Sequence, residues 1–288
     1  MMRKSALLVL LLLISIAVIP PTRGQTTQEE RLFVNDARPV GHAVLELTDR
    51  YPVLVTYEDP RFEYEGDLVE FSRRVNPNAP PDRRAVVPRG GYLEVTFDVS
   101  SATHRPIDLA RALGEMLEFH DQSGFPGRFA IEQTGSVFHI VPSKVRDAEG
   151  HWVPQTSILE TPITIEAQEV NGIQALHVIV AKVQEVSGIG TGVASYEDDR
   201  TLMESTVQLE AHSESARDVL LRTLQSISKD HWTWLLYYGP DIQSYALNLR
   251  AVPAQPIVIS SEAPIPTFVA PTGSGKSFFD RPDKAPEQ

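Results

Sequence analysis

Two copies of a short acidic motif are the residues of this chain best suited to chemistry. Tyr57-Glu58-Asp59-Pro60-Arg61 recurs 139 positions later as Tyr196-Glu197-Asp198-Asp199-Arg200. Two carboxylates that flank a glycosidic bond are what a glycoside hydrolase uses as acid and base. Adjacent residues of a strand point to opposite faces, however, so Glu58 and Asp59 cannot converge within one copy. Cleavage of a carbohydrate or a peptide would need one carboxylate from each copy to meet across a cleft.

Other signatures of catalysis or of cofactor binding are weak. The chain has no cysteine, which excludes thiol catalysis and cysteine-ligated metal. Its eight histidines form no His-x-x-x-His or His-Glu-x-x-His pair, and the sequence has no Gly-x-Ser-x-Gly nucleophile elbow. We therefore expect no metal, no cofactor and no enzymatic activity.

One motif near the carboxyl end resembles a phosphate-binding loop of the helicase kind. It runs Ala270-Pro271-Thr272-Gly273-Ser274-Gly275-Lys276-Ser277. A working loop needs a buried strand before it and a helix after it, so that backbone N–H groups cradle the phosphates. Only 11 residues follow Ser277, and Pro282 and Pro286 are among them. We expect no nucleotide binding.

The amino-terminal residues predict export. Arg3 and Lys4 precede an uncharged apolar run over 6–19, and small residues follow near Gly24, which is typical of a secretory signal peptide over 1–24. An uncleaved anchor is the alternative, although the run is shorter than the roughly 20 residues that span a bilayer. Without a cysteine to carry lipid, the mature chain is expected to be periplasmic or secreted, with no stable membrane insertion.

The charge of the chain excludes another class of partner. The formal net charge is −12, and removal of residues 1–24 takes away three basic residues and no acidic one, which moves it to −15. Such a surface repels phosphate backbones and anionic lipid. We expect no nucleic-acid binding.

The two copies of the motif sit in similar surroundings. Hydrophobic periodicity in the first half predicts helices over 40–47 and 107–117 and strands over 53–57, 93–99, 129–131 and 137–141. In the second half it predicts helices over 173–183 and 220–227 and strands over 163–165, 189–196, 207–209, 232–238 and 245–249. The chain is therefore interpreted as an internal duplication.

This order predicts an α+β fold. Each half is expected to be a β-α-β-β-α-β-β module of the split βαβ kind, with helices packed on one face of mainly antiparallel sheets. The predicted modules span 30–145 and 160–252, and the first contains a long exposed loop over 60–91 that is a candidate contact region. The tail over 253–288 holds seven prolines and is expected to be disordered.

The first half resembles a known family. The stretches that carry the likeness are Ala37–Leu47, Leu54–Tyr57, Leu93–Phe97, Ile107–Leu113 and Phe138–Pro142. They are similar to the short N-terminal (STN-type) periplasmic module of secretins and TonB-dependent receptors. The resemblance implies a role in protein–protein docking without an active site. It does not imply pore formation or transport, because the chain lacks the long β-rich region of those proteins.

The likeness covers residues 30–142 and, more loosely, 160–252. The leading hypothesis is a non-catalytic exported adaptor that docks onto an envelope protein. The candidate partner-binding residues are Tyr57, Arg61, Tyr196, Arg200, Trp232 and Trp234. Two alternatives stay open, namely an envelope hydrolase that uses the paired carboxylates and a polysaccharide-binding module that uses the tryptophans with Tyr238.

Overall fold

The protein is described here from a computed structural model, which covers residues 27–71, 85–100, 103, 105–228 and 232–252. The expected signal peptide, the loop that resembles a phosphate site and the tail over 253–288 lie outside these residues. Within the described part the chain has five α-helices and thirteen strands. The predicted α+β class is confirmed.

The first half contains two helices and eight strands. The helices are α1 (Pro39–Arg50) and α2 (Leu109–Gln122). The strands are β1 (Thr27–Asp36), β2 (Leu54–Glu58), β3 (Leu68–Glu70), β4 (Val86–Pro88), β5 (Gly91–Ser100), β6 (Arg128–Thr134), β7 (Val137–Arg146) and β8 (Trp152–Pro154).

The second half contains three helices and five strands. The helices are α3 (Gly172–Ser187), α4 (Asp199–Glu204) and α5 (Ala216–Ile227). The strands are β9 (Pro162–Asn171), β10 (Gly190–Tyr196), β11 (Thr206–Ser215), β12 (Trp232–Gly239) and β13 (Ser244–Ala251). Apart from the short elements β3, β4, β8 and α4, both halves follow the order β-α-β-β-α-β-β.

One sheet runs through both halves. Its strands lie in the order β10-β13-β12-β2-β7-β6, and β8 pairs with β7 beside this path. The halves meet where β12 pairs in parallel with β2, with Leu235 opposite Tyr57 and Leu236 opposite Glu58. The pairs β1–β5 and β9–β11 are separate antiparallel sheets, one in each half, and β3 pairs with β4.

Each face of the central sheet covers a different core. Val55 and Tyr57 of β2 pack with the apolar side chains of α1, α2, β1 and β5. Leu54, their neighbour on the opposite face, packs with the side chains of α3, α5, β9 and β11. Since successive side chains of a strand alternate between faces, the helices of the two halves lie on opposite sides of the shared sheet.

Local sequence explains where the helices begin and end. Asn171 caps α3 by accepting from the Gln174 N–H, and the Gln174 side chain accepts from the Asn171 N–H in return, which satisfies two backbone donors that a helix start leaves free. Gly188, with φ of 73°, ends the same helix in the left-handed conformation. Asp108 and Ser215 cap α2 and α5 through their side chains.

The segment over 60–91 is more structured than predicted. Residues 65–67 form a single 3-10 turn, and β3 and β4 pair across the segment. Phe62 is buried in the second-half core, and the nearly buried Asp67 accepts a hydrogen bond from Arg146 of β7. An aromatic ring and an ion pair thus fasten the segment to the sheet, while Glu63, Glu65 and the residues over 69–71 are exposed; residues 72–84 lie outside the described part.

Candidate binding site

The first acidic motif lies where the two halves join. The Asp59 N–H donates to the Leu236 carbonyl of β12 at 2.8 Å, and the Thr233 hydroxyl donates to the Val55 carbonyl. The first bond belongs to the parallel pairing of β2 with β12, and the second adds a side-chain hydrogen bond between the same two strands. At the end of β2, a strand of the second half, β12, is therefore added to the edge of the first half.

A buried ion pair fastens this junction. Arg38, which precedes α1, donates from Nε to Asp59 Oδ2 at 2.6 Å and from a guanidinium nitrogen to the Tyr238 carbonyl at 2.7 Å. The other Asp59 oxygen accepts from the Tyr57 hydroxyl at 2.7 Å, and the Tyr238 N–H donates to Oδ2 at 2.9 Å. Burial raises the pKa of the Asp59 carboxyl, and the charge of Arg38 opposes that shift. Three of these four hydrogen bonds hold the Asp59 carboxylate in place, and the fourth holds Arg38 against β12.

Glu58 is held from the opposite side of the strand. It is 2 % exposed and accepts hydrogen bonds from the Ser157 hydroxyl and from the Ile158 N–H, the latter at 2.6 Å. Burial raises the pKa of the Glu58 carboxyl to about 7, against the effect of these two donors. The side chain thus ties β2 to the link between the halves.

The second acidic motif lies on the surface. Glu197 pairs with Arg250 at 3.0 Å and accepts from the Ala251 N–H at 3.2 Å. Asp198 has φ of 52° and caps α4 by accepting from Thr201. The two copies of the motif therefore have different surroundings, with Glu58 and Asp59 inside the fold and Glu197 and Asp198 exposed.

Three of the predicted partner-binding residues are buried. Tyr57, Trp232 and Trp234 are 2 %, 4 % and 1 % exposed, because both faces of β2 and β12 are covered by the two cores. The prediction that these residues contact a partner directly is corrected, because their rings pack inside the protein itself. The same holds for Tyr238, which the polysaccharide alternative requires on the surface and which is 3 % exposed.

The other three predicted residues lie nearer the surface. Arg61 pairs with Glu63, and Arg200 pairs with Glu204 within α4 at 2.8 Å. Tyr196, at the end of β10, is half-buried and packs against the second-half core. The fold does not gather the six candidates into one surface, although it does place Tyr57 and Tyr196 at equivalent positions.

Strand β10 is the second-half counterpart of β2. Tyr57 pairs with Ile140 of β7, and Tyr196 pairs with Leu249 of β13, each in parallel. The residue before each of these tyrosines also makes a side-chain hydrogen bond to the neighbouring strand. Thr56 Oγ1 lies 2.8 Å from His139 Nδ1, and Ser195 Oγ lies 2.7 Å from Asn248 Oδ1.

The two counterparts differ in what lies beside them. Strand β2 has β12 along its outer edge, whereas β10 is the last strand of the sheet, and no strand of the described ranges pairs with its outer edge. The sequence of β10 over 190–196 carries no charged residue and no proline, which are two of the usual protections of an edge strand. A register shift between Val193 and Ser195 is its only irregularity within the described pairing.

The opposite end of the sheet is less open to a strand. Strand β6 corresponds to β12, since both lie antiparallel to the last strand of their half. Glu132 of β6 lies opposite His139, and Leu235 of β12 lies opposite the equivalent Asn248. A charged residue thus occupies the position that is apolar at the internal junction.

Two other features are absent from the described residues. No group of three or more histidine and acidic side chains in the described ranges is arranged to hold a metal ion. None of the helices in that part of the chain is both long and apolar enough to cross a bilayer.

Comparisons with known proteins supply no relative. No family model, no curated protein and no solved structure matches this chain. The site is therefore interpreted from its own geometry.

The sequence did not locate the pairing of β12 with β2 or the open edge of β10. Strands far apart in the sequence leave no local sign of their pairing. A trace of it exists in β12, where Trp234 and Leu236 alternate with Thr233 and Leu235, and both sets are buried. A strand that is apolar on both faces is typical of the middle of a covered sheet.

Proposed function

We propose that this chain is a non-catalytic adaptor of the cell envelope that docks onto another protein through its central sheet. The observation that carries the proposal is the internal junction between β2 and β12. The chain joins its own halves by adding a strand to a sheet edge, and it leaves the equivalent edge at β10 uncovered by any described strand. Strand addition to an open edge is a common mode of protein recognition.

The contacts of the four motif carboxylates favour this reading over a hydrolase. A glycosidase acid and base must reach a bond from both sides in one cleft. Asp59 is fully buried and saturated by Arg38, Tyr57 and Tyr238. Glu58 is likewise buried, and Asp198 caps a helix. Each carboxylate has a structural partner that accounts for its place in the sequence.

The resemblance to the periplasmic STN-type module supports the same proposal. The stretches that carry the likeness lie on or next to α1, β2, β5, α2 and β7, and the role that the resemblance implies is docking in the periplasm. The amino-terminal pattern of a signal peptide agrees with export to that compartment. The proposed partner is therefore a protein of the envelope, and no nucleotide, nucleic acid or metal is needed.

Recovery of the partner in intact cells tests the proposal. The full chain, tagged at its carboxyl end, is cross-linked mildly in the native cells and purified, and the adducts are identified by mass spectrometry. An unrelated exported protein with the same tag is the control. We expect one envelope protein to be enriched over the control; equal recovery of every protein in both samples would end the proposal.

A direct assay separates the hydrolase alternative. The purified protein is expected to release neither reducing sugar from envelope polysaccharide nor new amino groups from envelope peptides. Release that is lost in a Glu197→Gln variant would favour catalysis by the motif instead, since Glu197 is exposed.

A further inference from the structure

We infer that the partner provides an extended strand that pairs in parallel with the outer edge of β10, as β12 pairs with β2. This inference rests on the proposed docking function and names its site and the chemistry of its ligand. The internal junction fixes the register. Leu235 lies opposite Tyr57, so the partner is expected to place an apolar residue opposite Tyr196, the equivalent position.

The backbone at the end of β10 is oriented for this pairing. The Glu197 N–H donates to the Leu249 carbonyl of β13 at 3.0 Å. Because backbone groups of successive residues in a strand face opposite neighbours, the N–H and carbonyl of Tyr196 face away from β13. At the equivalent edge of β2, the Asp59 N–H, two residues beyond Tyr57, donates to Leu236 of β12. Strand β10 ends at Tyr196, and Asp198, the counterpart of Asp59, caps α4 with φ of 52°, so an incoming strand would pair with Tyr196 and the residues before it.

The side chains of β10 define what the partner strand must carry. Val193 and Tyr196 are half-buried against the second-half core, whereas Gly192, Ala194 and Ser195 are exposed. A strand added to β10 would therefore meet apolar side chains on only one face of the sheet, the face that covers the second-half core. The ligand is an uncharged strand with apolar residues at alternate positions, and its other face is polar or small.

A second copy of this chain is a poor source of that strand. Its own β12 is already enclosed between β13 and β2. The equivalent strand β6 carries Glu132 where β12 carries Leu235, and Glu132 is engaged by Arg217. Pairing β6 with β10 would bring that carboxylate beside Tyr196 in a chain of formal net charge −12. Charged residues that point toward a sheet edge discourage such pairing.

A labelled peptide with the sequence of β12 (Trp232–Gly239), flanked by lysines for solubility, is the probe for this edge. Its binding to the full chain is measured by fluorescence anisotropy, and hydrogen exchange of the amides of β10 is measured with and without it. We expect saturable binding, fast exchange of the Tyr196 amide, which faces away from β13, without peptide, and slowed exchange of that amide with peptide. A Tyr196 amide that is already protected without peptide would mean that another part of the chain covers the edge, which overturns the inference.

Two N-methylated peptides provide a matched control. The carbonyl of Leu236 faces β2, since it accepts from the Asp59 N–H, whereas that of Leu235, the next residue along the strand, accepts from the side-chain amide of Asn248 in β13. Methylation at the positions of Leu236 and Tyr238 should therefore weaken binding at least about tenfold, the equivalent of one net hydrogen bond. Methylation at the positions of Leu235 and Tyr237 should leave binding nearly unchanged. Equal effects, or the reverse preference, would overturn the assignment.

The outcomes distinguish this inference from the proposed function. If an envelope protein is recovered from cells but the peptide does not bind or protects a segment other than 190–196, docking stands and the β10 site is wrong. If the full chain sediments as a concentration-dependent oligomer whose contact protects β10, the occupant is a second copy, and the inference of a different partner is overturned.

Discussion

Arg38 and Asp59 form an ion pair beside the junction of the two halves, with Nε and Oδ2 separated by 2.6 Å and Asp59 fully buried. Arg38 precedes α1, Asp59 follows β2, and both also bind the backbone of Tyr238 in β12. Three segments from opposite ends of the chain thus depend on one pair of charges. Since Asp59 has no exposed surface, the pair is shielded from the solvent screening that weakens surface salt bridges.

Substitution of Arg38 by methionine should destabilise the fold strongly. The change removes the cation and leaves Asp59 buried without a charge partner, and breaking a buried pair in this way costs about 3–5 kcal/mol. The free energy of unfolding is measured by urea denaturation. Arg111→Met is the matched control, because its ion pair with Glu115 is half exposed and exposed ion pairs contribute little to stability. Equal losses in the two variants would contradict a special role for the buried pair.

The stability of the protein should fall as the pH rises toward neutrality because of Glu58. Burial raises the pKa of its carboxyl to about 7 from an ordinary value of 4.5. Between these values the folded state binds more protons than the unfolded state, so the contribution of this group to stability is full below 4.5 and lost above 7. Through this group, the free energy of unfolding is expected to fall by at most about 1.4 kcal/mol per pH unit.

Comparison with a Glu58→Gln variant isolates this effect from the histidines. Burial lowers the pKa of His139 to about 4, which makes stability rise with pH up to its ordinary value of 6.5. Hydrogen bonds from His42 to Asp36 and Glu46 raise the pKa of that imidazole to about 9, so its contribution is lost between 6.5 and 9. The free energy of unfolding of the wild type minus that of the variant should still decline from pH 4.5 to 7. Parallel plots of the two free energies against pH would show that Glu58 does not titrate in this range.

Two helical glycines should respond in opposite ways to alanine. A Cβ at Gly41 in α1 would lie 2.8 Å from the buried ring of Tyr57 and 3.2 Å from that of Tyr237, so Gly41→Ala should cost about 1–3 kcal/mol through overpacking. A Cβ at Gly114 in α2 would meet nothing within 4 Å, and Gly114→Ala should stabilise by about 0.5–1 kcal/mol through helix propensity. Thermal denaturation measures both; a stabilising Gly41→Ala would mean that α1 does not pack closely on the junction.

Most helices and strands could be predicted because their signals are local. The spacing of Val40, Ala43, Val44 and Leu47 marks the buried face of α1, and such a stripe needs no knowledge of distant residues. Strand β1 was expected in the order of elements but not located. Only Leu32 and Val34 of that strand are buried, whereas Phe33 between them is about half exposed, so the alternation that marks a strand is hidden.

The site was harder to predict because it depends on pairings between distant segments. The repeat of the Tyr-Glu-Asp motif identified equivalent strand ends correctly, as the paired registers of Tyr57 and Tyr196 show. Nothing local to either copy indicates that Asp59 meets Arg38 inside the fold while Asp198 caps a helix on the surface. That difference arises from β12, which covers the edge of β2 alone.

Replacement of Glu132 and Gln133 by leucine should convert the chain into an oligomer. These residues of β6 correspond to Leu235 and Leu236 of β12, so Glu132→Leu/Gln133→Leu makes this edge resemble the strand that β2 accepts. Without the carboxylate, β6 of one copy is free to add to β10 of the next, and such a head-to-tail contact repeats along a filament or ring.

Analytical ultracentrifugation is expected to show concentration-dependent association of the double variant and a monomeric wild type. Glu118→Leu/Gln122→Leu on the exposed face of α2 is the control, since it removes the same charge and adds the same apolar surface. Arg217 keeps a partner in the double variant because it also pairs with Glu160 at 2.9 Å, so a loss of folding is not expected. If both double variants associate equally, added hydrophobicity alone explains the result, and Glu132 has no specific part in keeping the edges of the sheet apart.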